Sequence, residues 1–283
     1  MRWLTLSLTI VFLGTLSLGA SALDAANNTP PPSPMTARYR EGTIHGFLAM
    51  STLDGNLIAD GDLLQSVHGD RITNRLTYRF KDGSLQDETT VFTQHTFFRL
   101  VSYHQVQKGP AFPHPMDLSI VAATGEVTVH TTDDKGEEKV FNEHLKLPPD
   151  LANGLVLTLL KNVSSKESAI KVSMVAATPK PRLVKLAITA QGEEPFSLGA
   201  SGRKAAHYIV KVELGGIAGV VAPIIGKEPP DSSVWILGGD VPAFVKSESL
   251  SYMGGPLWRS ELISPAWPKM ASPDSKTADA DKH

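Results

Sequence analysis

The chain contains no cysteine, and that absence removes several chemistries at once. No disulfide framework braces the fold, and no thiolate serves as nucleophile or holds a metal. No cysteine follows the N-terminal segment to carry a lipid. Charge of one sign is equally scarce: 27 Lys and Arg face 29 Asp and Glu, a formal net charge of −2. That balance offers no field to draw nucleic acid or an anionic membrane surface. Beyond residue 22 no apolar run approaches the ~20 residues that cross a bilayer, so no transmembrane segment is expected in the mature chain. Catalytic signatures are also missing. Gly199-Ala200-Ser201-Gly202-Arg203 lacks the last glycine of a nucleophile elbow, and no phosphate loop, dinucleotide turn or H-E-x-x-H motif occurs. No cofactor is called for.

What is present begins at the N-terminus. Met1-Arg2 precedes an apolar stretch from Trp3 to Leu18 and the small residues Gly19-Ala20-Ser21-Ala22. This is the layout of a signal peptide over residues 1–22, which places the mature protein in the periplasm or outside the cell. Residues 23–38 read as a proline-rich flexible arm, and 269–283 as a disordered tail almost free of apolar residues. Between them, glycine turns separate segments of strand length, which predicts one β-rich domain over 39–268. Its first meander covers 39–147 and its second 168–268. The fold class is therefore all-β and mainly antiparallel.

Two hairpins have a register that can be worked out. With Asp82-Gly83 as a two-residue loop, Phe80 falls opposite Leu85 and Arg79 opposite Gln86. Asp87 then lands on the apolar side, where a bulge is expected. With Asp134-Lys135-Gly136 as a three-residue loop, Val129 falls opposite Phe141, Thr128 opposite Asn142 and Glu126 opposite His144, and Gly136 takes the left-handed position. One segment departs from strand patterning. After Pro148-Pro149, apolar residues Leu151, Leu155, Val156, Leu159 and Leu160 recur at helical spacing, which predicts a helix over 150–161.

The second half also carries a resemblance. A leucine-rich helix face (Leu155 to Leu160) is followed by Ala206-His207-Tyr208-Ile209-Val210-Lys211-Val212. Then come Val234-Trp235-Ile236-Leu237-Gly238-Gly239-Asp240 and Pro242-Ala243-Phe244-Val245-Lys246-Ser247-Glu248. This order resembles uncharacterised exported bacterial β proteins related to the periplasmic lipoprotein carriers. The resemblance implies a curved sheet or open half-barrel wrapped around one central helix, with an apolar cavity for acyl chains.

The candidate ligand-binding residues follow from apolar patterning. The run Gly215 to Gly226 is nearly uncharged and glycine-flanked. It is either a lid over a hydrophobic cavity, through Ile217, Val220, Val221, Ile224 and Ile225, or a plain core segment. Leu155 and Leu159 either line that cavity or seal the sheet, and Trp235 joins them. Nine histidines are scattered without ligand spacing, so no metal site is predicted. Phe112-Pro113-His114-Pro115-Met116-Asp117 is the best place for a catalytic imidazole, with Asp117 near enough to orient His114. The alternative reading is a rigid crossover loop.

The expectation is thus a protein that binds or shuttles a hydrophobic small molecule or lipid in the cell envelope, without enzymatic activity. Its rivals are an envelope hydrolase built on His114 and a non-catalytic module that docks an envelope protein partner. N-terminal sequencing of the exported protein is expected to start at or a few residues beyond Leu23; a start at Met1 would refute the export signal.

Overall fold

Between the glycine turns, β-branched and aromatic side chains alternate with polar ones, and each such segment is a strand. A computed structural model describes residues 33–163, 167, 169–177, 180–198, 201–213 and 229–263. The first meander comprises β1 (Ile44–Thr52), β2 (Leu57–His68), β3 (Arg71–Phe80), β4 (Leu85–Gln94), β5 (Phe98–Lys108), β6 (Met116–Val121), β7 (Glu126–Thr132) and β8 (Glu138–His144). After α1 (Val156–Leu160) come β9 (Ala169–Ala176), β10 (Arg182–Leu198), β11 (Ser201–Glu213), β12 (Ser232–Leu237), β13 (Ala243–Leu250) and β14 (Leu257–Ile263). All 14 strands form one antiparallel sheet in the order β8-β7-β6-β5-β4-β3-β2-β1-β14-β13-β12-β11-β10-β9. Neighbours in space are neighbours in sequence except at one place. There β1 pairs with β14, from Phe47 opposite Ile263 to Thr52 opposite Trp258.

The second hairpin has the expected register: Val129 faces Phe141, Thr128 faces Asn142 and Glu126 faces His144, with Gly136 at φ 78°. The first does not. Arg79, not Phe80, lies opposite Leu85, and Tyr78 lies opposite Gln86. The loop is Lys81-Asp82-Gly83, closed by Phe80 N–H donating to Ser84 O at 2.9 Å. Gly83 sits at φ 87°, and the Asp82 carboxylate accepts from Ser84 N–H at 2.9 Å. The extra loop residue turns Asp87 outward, where Arg75 and Thr77 bind it, so the expected bulge is unnecessary.

The predicted helix 150–161 is also corrected. Only Val156–Leu160 is helical, because the residues before it cover the free edge of β9. Leu151 makes a parallel bridge to Ser173, and Ala152 N–H donates to Ser173 O at 2.8 Å. The Asn153 side chain exchanges two bonds with the Val175 backbone, at 2.8 and 3.0 Å. A buried strand edge must satisfy its polar groups, and this demand outweighs a one-turn extension of the helix. The arm predicted as flexible is held where it is described. Thr36 bridges Phe97, Ala37 N–H donates to Thr96 O at 3.0 Å, and Phe98 N–H to Met35 O at 2.9 Å.

Two buried clusters share one face of the sheet, here called inner. The larger joins Ile72, Phe92 and Val127 of the first meander, Val172, Ile188 and Ile236 of the second, and Leu155, Leu159 and Leu160 of the segment around α1. The smaller gathers Leu48, Met50, Phe80, Phe112 and Trp258. Each such side chain contributes about 1.5–3 kcal/mol on burial. A third cluster, Ala205, Trp235, Leu237 and Val245, lies on the opposite face, as strand alternation requires. Among the described residues no helix is long and apolar enough to cross a membrane.

Gly154, at φ +68°, lies against β4: a Cβ there would run into the Thr90 side chain, whereas a Cβ on Gly136 (φ +78°) would meet nothing within 4 Å. Gly154→Ala is therefore expected to cost about 2–4 kcal/mol and Gly136→Ala about 1 kcal/mol in urea denaturation. Equal costs would refute the tight contact of this segment with β4.

Candidate binding site

Alternation decides what faces the inner side. On β4 the buried residues Gln86, Thr90, Phe92 and Gln94 point inward, and Glu88 shares their parity. Ladder register then sets Leu63 opposite Leu76, Leu76 opposite Glu88, Glu88 opposite Gln105, and Gln105 opposite Leu118. β5 holds this parity through a bulge at Val101, since Val91 pairs with Ser102 and Phe92 with Leu100. In the adjacent row Asn74 faces Thr90, and Thr90 faces Tyr103.

This inner row is not sealed. Leu63, Leu76, Glu88, Gln105 and Asn74 are all half-buried, while Tyr78, Gln86 and Gln107 on one side and Thr90 and Tyr103 on the other are buried. Leu262 on β14 is half-buried as well and packs with Leu63 and Leu76 against the smaller cluster. Gly61 allows Tyr78 to lie across the sheet beside this row: a Cβ at 61 would come within 2.6 Å of the Tyr78 ring. The Tyr78 hydroxyl is thereby hydrogen-bonded to Ser260 of β14.

The polar centre of the row is Glu88. Tyr103 O–H donates to its Oε2 at 2.9 Å. Burial raises the Glu88 pKa above the usual carboxylate range, and the Tyr103 bond offsets only part of that rise. Tyr103 is itself pushed well up by burial and by the neighbouring Glu88 charge. Close by in register, Asn74 Oδ1 is buried and has no hydrogen-bond partner among the described residues. The expected hairpin register would have turned Glu88 to solvent. A slip of one residue exchanges the two faces of a strand, which is why the sequence alone missed this residue.

The predicted binding residues fall in three places. Leu155 and Leu159 are 1% and 4% exposed and belong to the larger inner cluster, so they close the sheet instead of lining an open space. Ile217, Val220, Val221, Ile224 and Ile225 lie outside the described residues. Trp235 is on the opposite face and is corrected as a cavity residue. His207 stacks on its ring, centroids 4.4 Å apart and 4° from parallel; Lys246 Nζ sits 3.8 Å from its centroid. Trp235 Nε1–H donates to Glu194 at 2.8 Å, and Glu194 also meets His207 at 2.8 Å. The Trp235 hydrogen bond is the largest effect holding the Glu194 carboxylate below its ordinary pKa.

The catalytic reading of the proline-flanked loop is also corrected. His114 is exposed and faces Asp134 at 3.4 Å, while Asp117 is bound by His104 Nε2 at 2.9 Å. Seven of the eight described histidines are exposed and His207 is half-buried, so among the described residues no imidazole is fully buried. Among the described residues no three His, Asp or Glu side chains converge on a metal position.

No protein-family model matches this chain, and no curated protein matches it. Among solved structures, one described as a beta-barrel-like protein of domain of unknown function DUF1849 from Brucella abortus is similar, with 9% identity and a TM-score of 0.42. The match covers 79% of this chain and 98% of that one.

A carboxyl whose pKa is raised on folding adds stability that is complete below its unfolded value and is lost as pH rises through the folded one. For Glu88 this loss falls between the ordinary carboxylate range and its raised folded value. Glu88→Gln has no such proton to lose. In thermal melts between about pH 4 and pH 8, the variant is expected to gain on the wild type as pH rises; a constant difference would show that Glu88 is solvated.

Proposed function

We propose that the inner face of the sheet holds a hydrophobic ligand, a lipid or acyl chain, and that the exported protein binds or shuttles it in the cell envelope. The observation that carries this reading is the half-buried Leu63, Leu76 and Leu262, set between two closed apolar clusters on one face. Apolar side chains with closed neighbours on both sides and water over them gain about 25 cal/mol per Å² when an acyl chain replaces that water.

The reading includes a bent sheet, an open half-barrel around the segment carrying α1. Its support is a distance argument. β7 and β9 are the second and the last strands in the sheet order, yet Val127 and Val172 belong to one buried cluster. At 4.7–4.9 Å per strand a flat sheet would separate them by roughly 60 Å. Bending the sheet about Leu155, Leu159 and Leu160 brings both to the same core. In this arrangement the leucines around α1 close the inner face beside the ligand space.

Extraction and mass spectrometry of protein purified from its native host is expected to find lipid at close to one equivalent. Nile red, a neutral apolar dye, is expected to brighten on the lipid-stripped protein, and Leu76→Gln to weaken its binding by about tenfold. Lipid-free protein that leaves Nile red dark would overturn the proposal.

A further inference from the structure

The inner face has an unusual charge inventory. Strand parity gives β1 the inward residues Ile44, Gly46, Leu48 and Met50; β2 to β7 add apolar and amide side chains, with two tyrosines and two threonines. Among these positions Glu88 is the one charged residue, and no Lys, Arg or His points inward. Lys161, which follows α1, is engaged by Glu41 at 2.6 Å, and Glu41 also accepts from Gln65 at 3.0 Å.

The amide nitrogens of Asn74 and Gln105 are donors beside Glu88, but the charged group here and the buried atom unpaired among the described residues are both acceptors. An ionised carboxylate has about four acceptor sites, and Tyr103 occupies one of them. Asn74 Oδ1 is a second acceptor, buried and without a partner among the described residues. Both stand beside the half-buried leucines in the ladder register. A buried acceptor left unpaired costs about 1–3 kcal/mol, which a donor from a ligand would recover. A second carboxylate or a phosphate would bring more acceptors and negative charge to the stretch from β1 to β7, where no cation points inward; inward cations of the ladder such as Lys139 and Arg182 stand on β8 and β10.

We propose, on the strength of the ligand-binding reading above, that the ligand is an amphiphile with a donor head of no negative charge, an amine or a hydroxyl, seated against Glu88 and Asn74 with its chain along Leu63 and Leu76. Ionised fatty acids and acidic phospholipids are excluded by the same contacts. This determines which lipids the protein selects.

The test uses the full exported chain, stripped of lipid, at neutral pH. Decylamine, 1-decanol and decanoate share one chain and differ only in the head. The amine and the alcohol are expected to displace Nile red at concentrations at least tenfold below that of decanoate. Glu88→Gln, checked for folding by circular dichroism, is expected to bring the amine to within threefold of decanoate. Decanoate competing as well as the amine on the wild-type protein would overturn the head-group assignment while leaving the carrier reading intact, and needs no variant. An unchanged preference in folded Glu88→Gln would also overturn it. Failure of Nile red and of all three amphiphiles to bind would refute the carrier reading and this inference with it.

Discussion

Everything else in the sheet depends on the ladder between β1 and β14. Each other ladder pairs neighbours in sequence, so the fourteen strands could form as two separate meanders, of eight and of six, from local hairpins. Only Phe47–Thr52 against Trp258–Ile263 joins the first meander to the last strand. Closing a loop of that length costs about 5 kcal/mol of chain entropy, and six residue pairs of backbone bonding offset little more than that. The surplus comes from the inner face. Leu48, Met50 and Trp258 bury one another beside Phe80 and Phe112, and Tyr78 reaches over Gly61 to bond Ser260 across the seam. A long-range closure of this kind forms late, after the local hairpins that supply its partners.

The segment between the two meanders provides the second constraint, and buried polar groups position it at both ends. Before α1, Asp150 accepts from Ser173 Oγ at 2.7 Å and from Lys185 at 3.2 Å, and Asn153 fills a gap in the edge of β9. After it, Lys161 meets Glu41, and Asn162 Oδ1 accepts from Tyr39 N–H at 2.7 Å. Buried ion pairs add little net stability, because desolvation cancels most of the attraction. Removing one partner is costly, however, so such pairs set position. One end of the segment is tied to the second meander and the other to the chain just before β1. The leucines between are thereby held against both halves of the inner face.

How much was legible in the sequence can be traced to single residues. Gly136 announced its three-residue loop, and the register of β7 and β8 followed. Gly83 carries the same signal at the third position of Lys81-Asp82-Gly83. Pairing Phe80 with Leu85 seemed to keep apolar with apolar, and that preference hid it. Tyr78, Arg79 and Gln86 then all changed partners. The faces of β4 exchanged with them: Asp87 went out to Arg75, and Glu88 came in to Tyr103. The leucine spacing after Pro149 correctly marked buried positions, but a strand edge in need of hydrogen bonds claimed the first of them. Trp235 was read as apolar because its neighbours are. Its face became clear only when β11 and β13 placed His207 and Lys246 over its two sides.

The inward turn of Glu88 is expensive for the empty protein. Burial raises its pKa, so at neutral pH the fold either carries a desolvated charge or binds a proton that the unfolded chain would release. A glutamine would remove that cost and leave the ladder unchanged, since the backbone bonds of β4 do not involve the side chain. Its buried neighbour Tyr103, whose hydroxyl donates to Glu88, would keep an acceptor in the glutamine Oε1. A cost of this kind is recovered when a donor arrives from outside. A head group that satisfies Glu88 and Asn74 lowers the free energy of the bound state by what the empty state forfeits. On the proposed ligand reading, the residue that reduces the stability of the free protein would set the selectivity of the bound one.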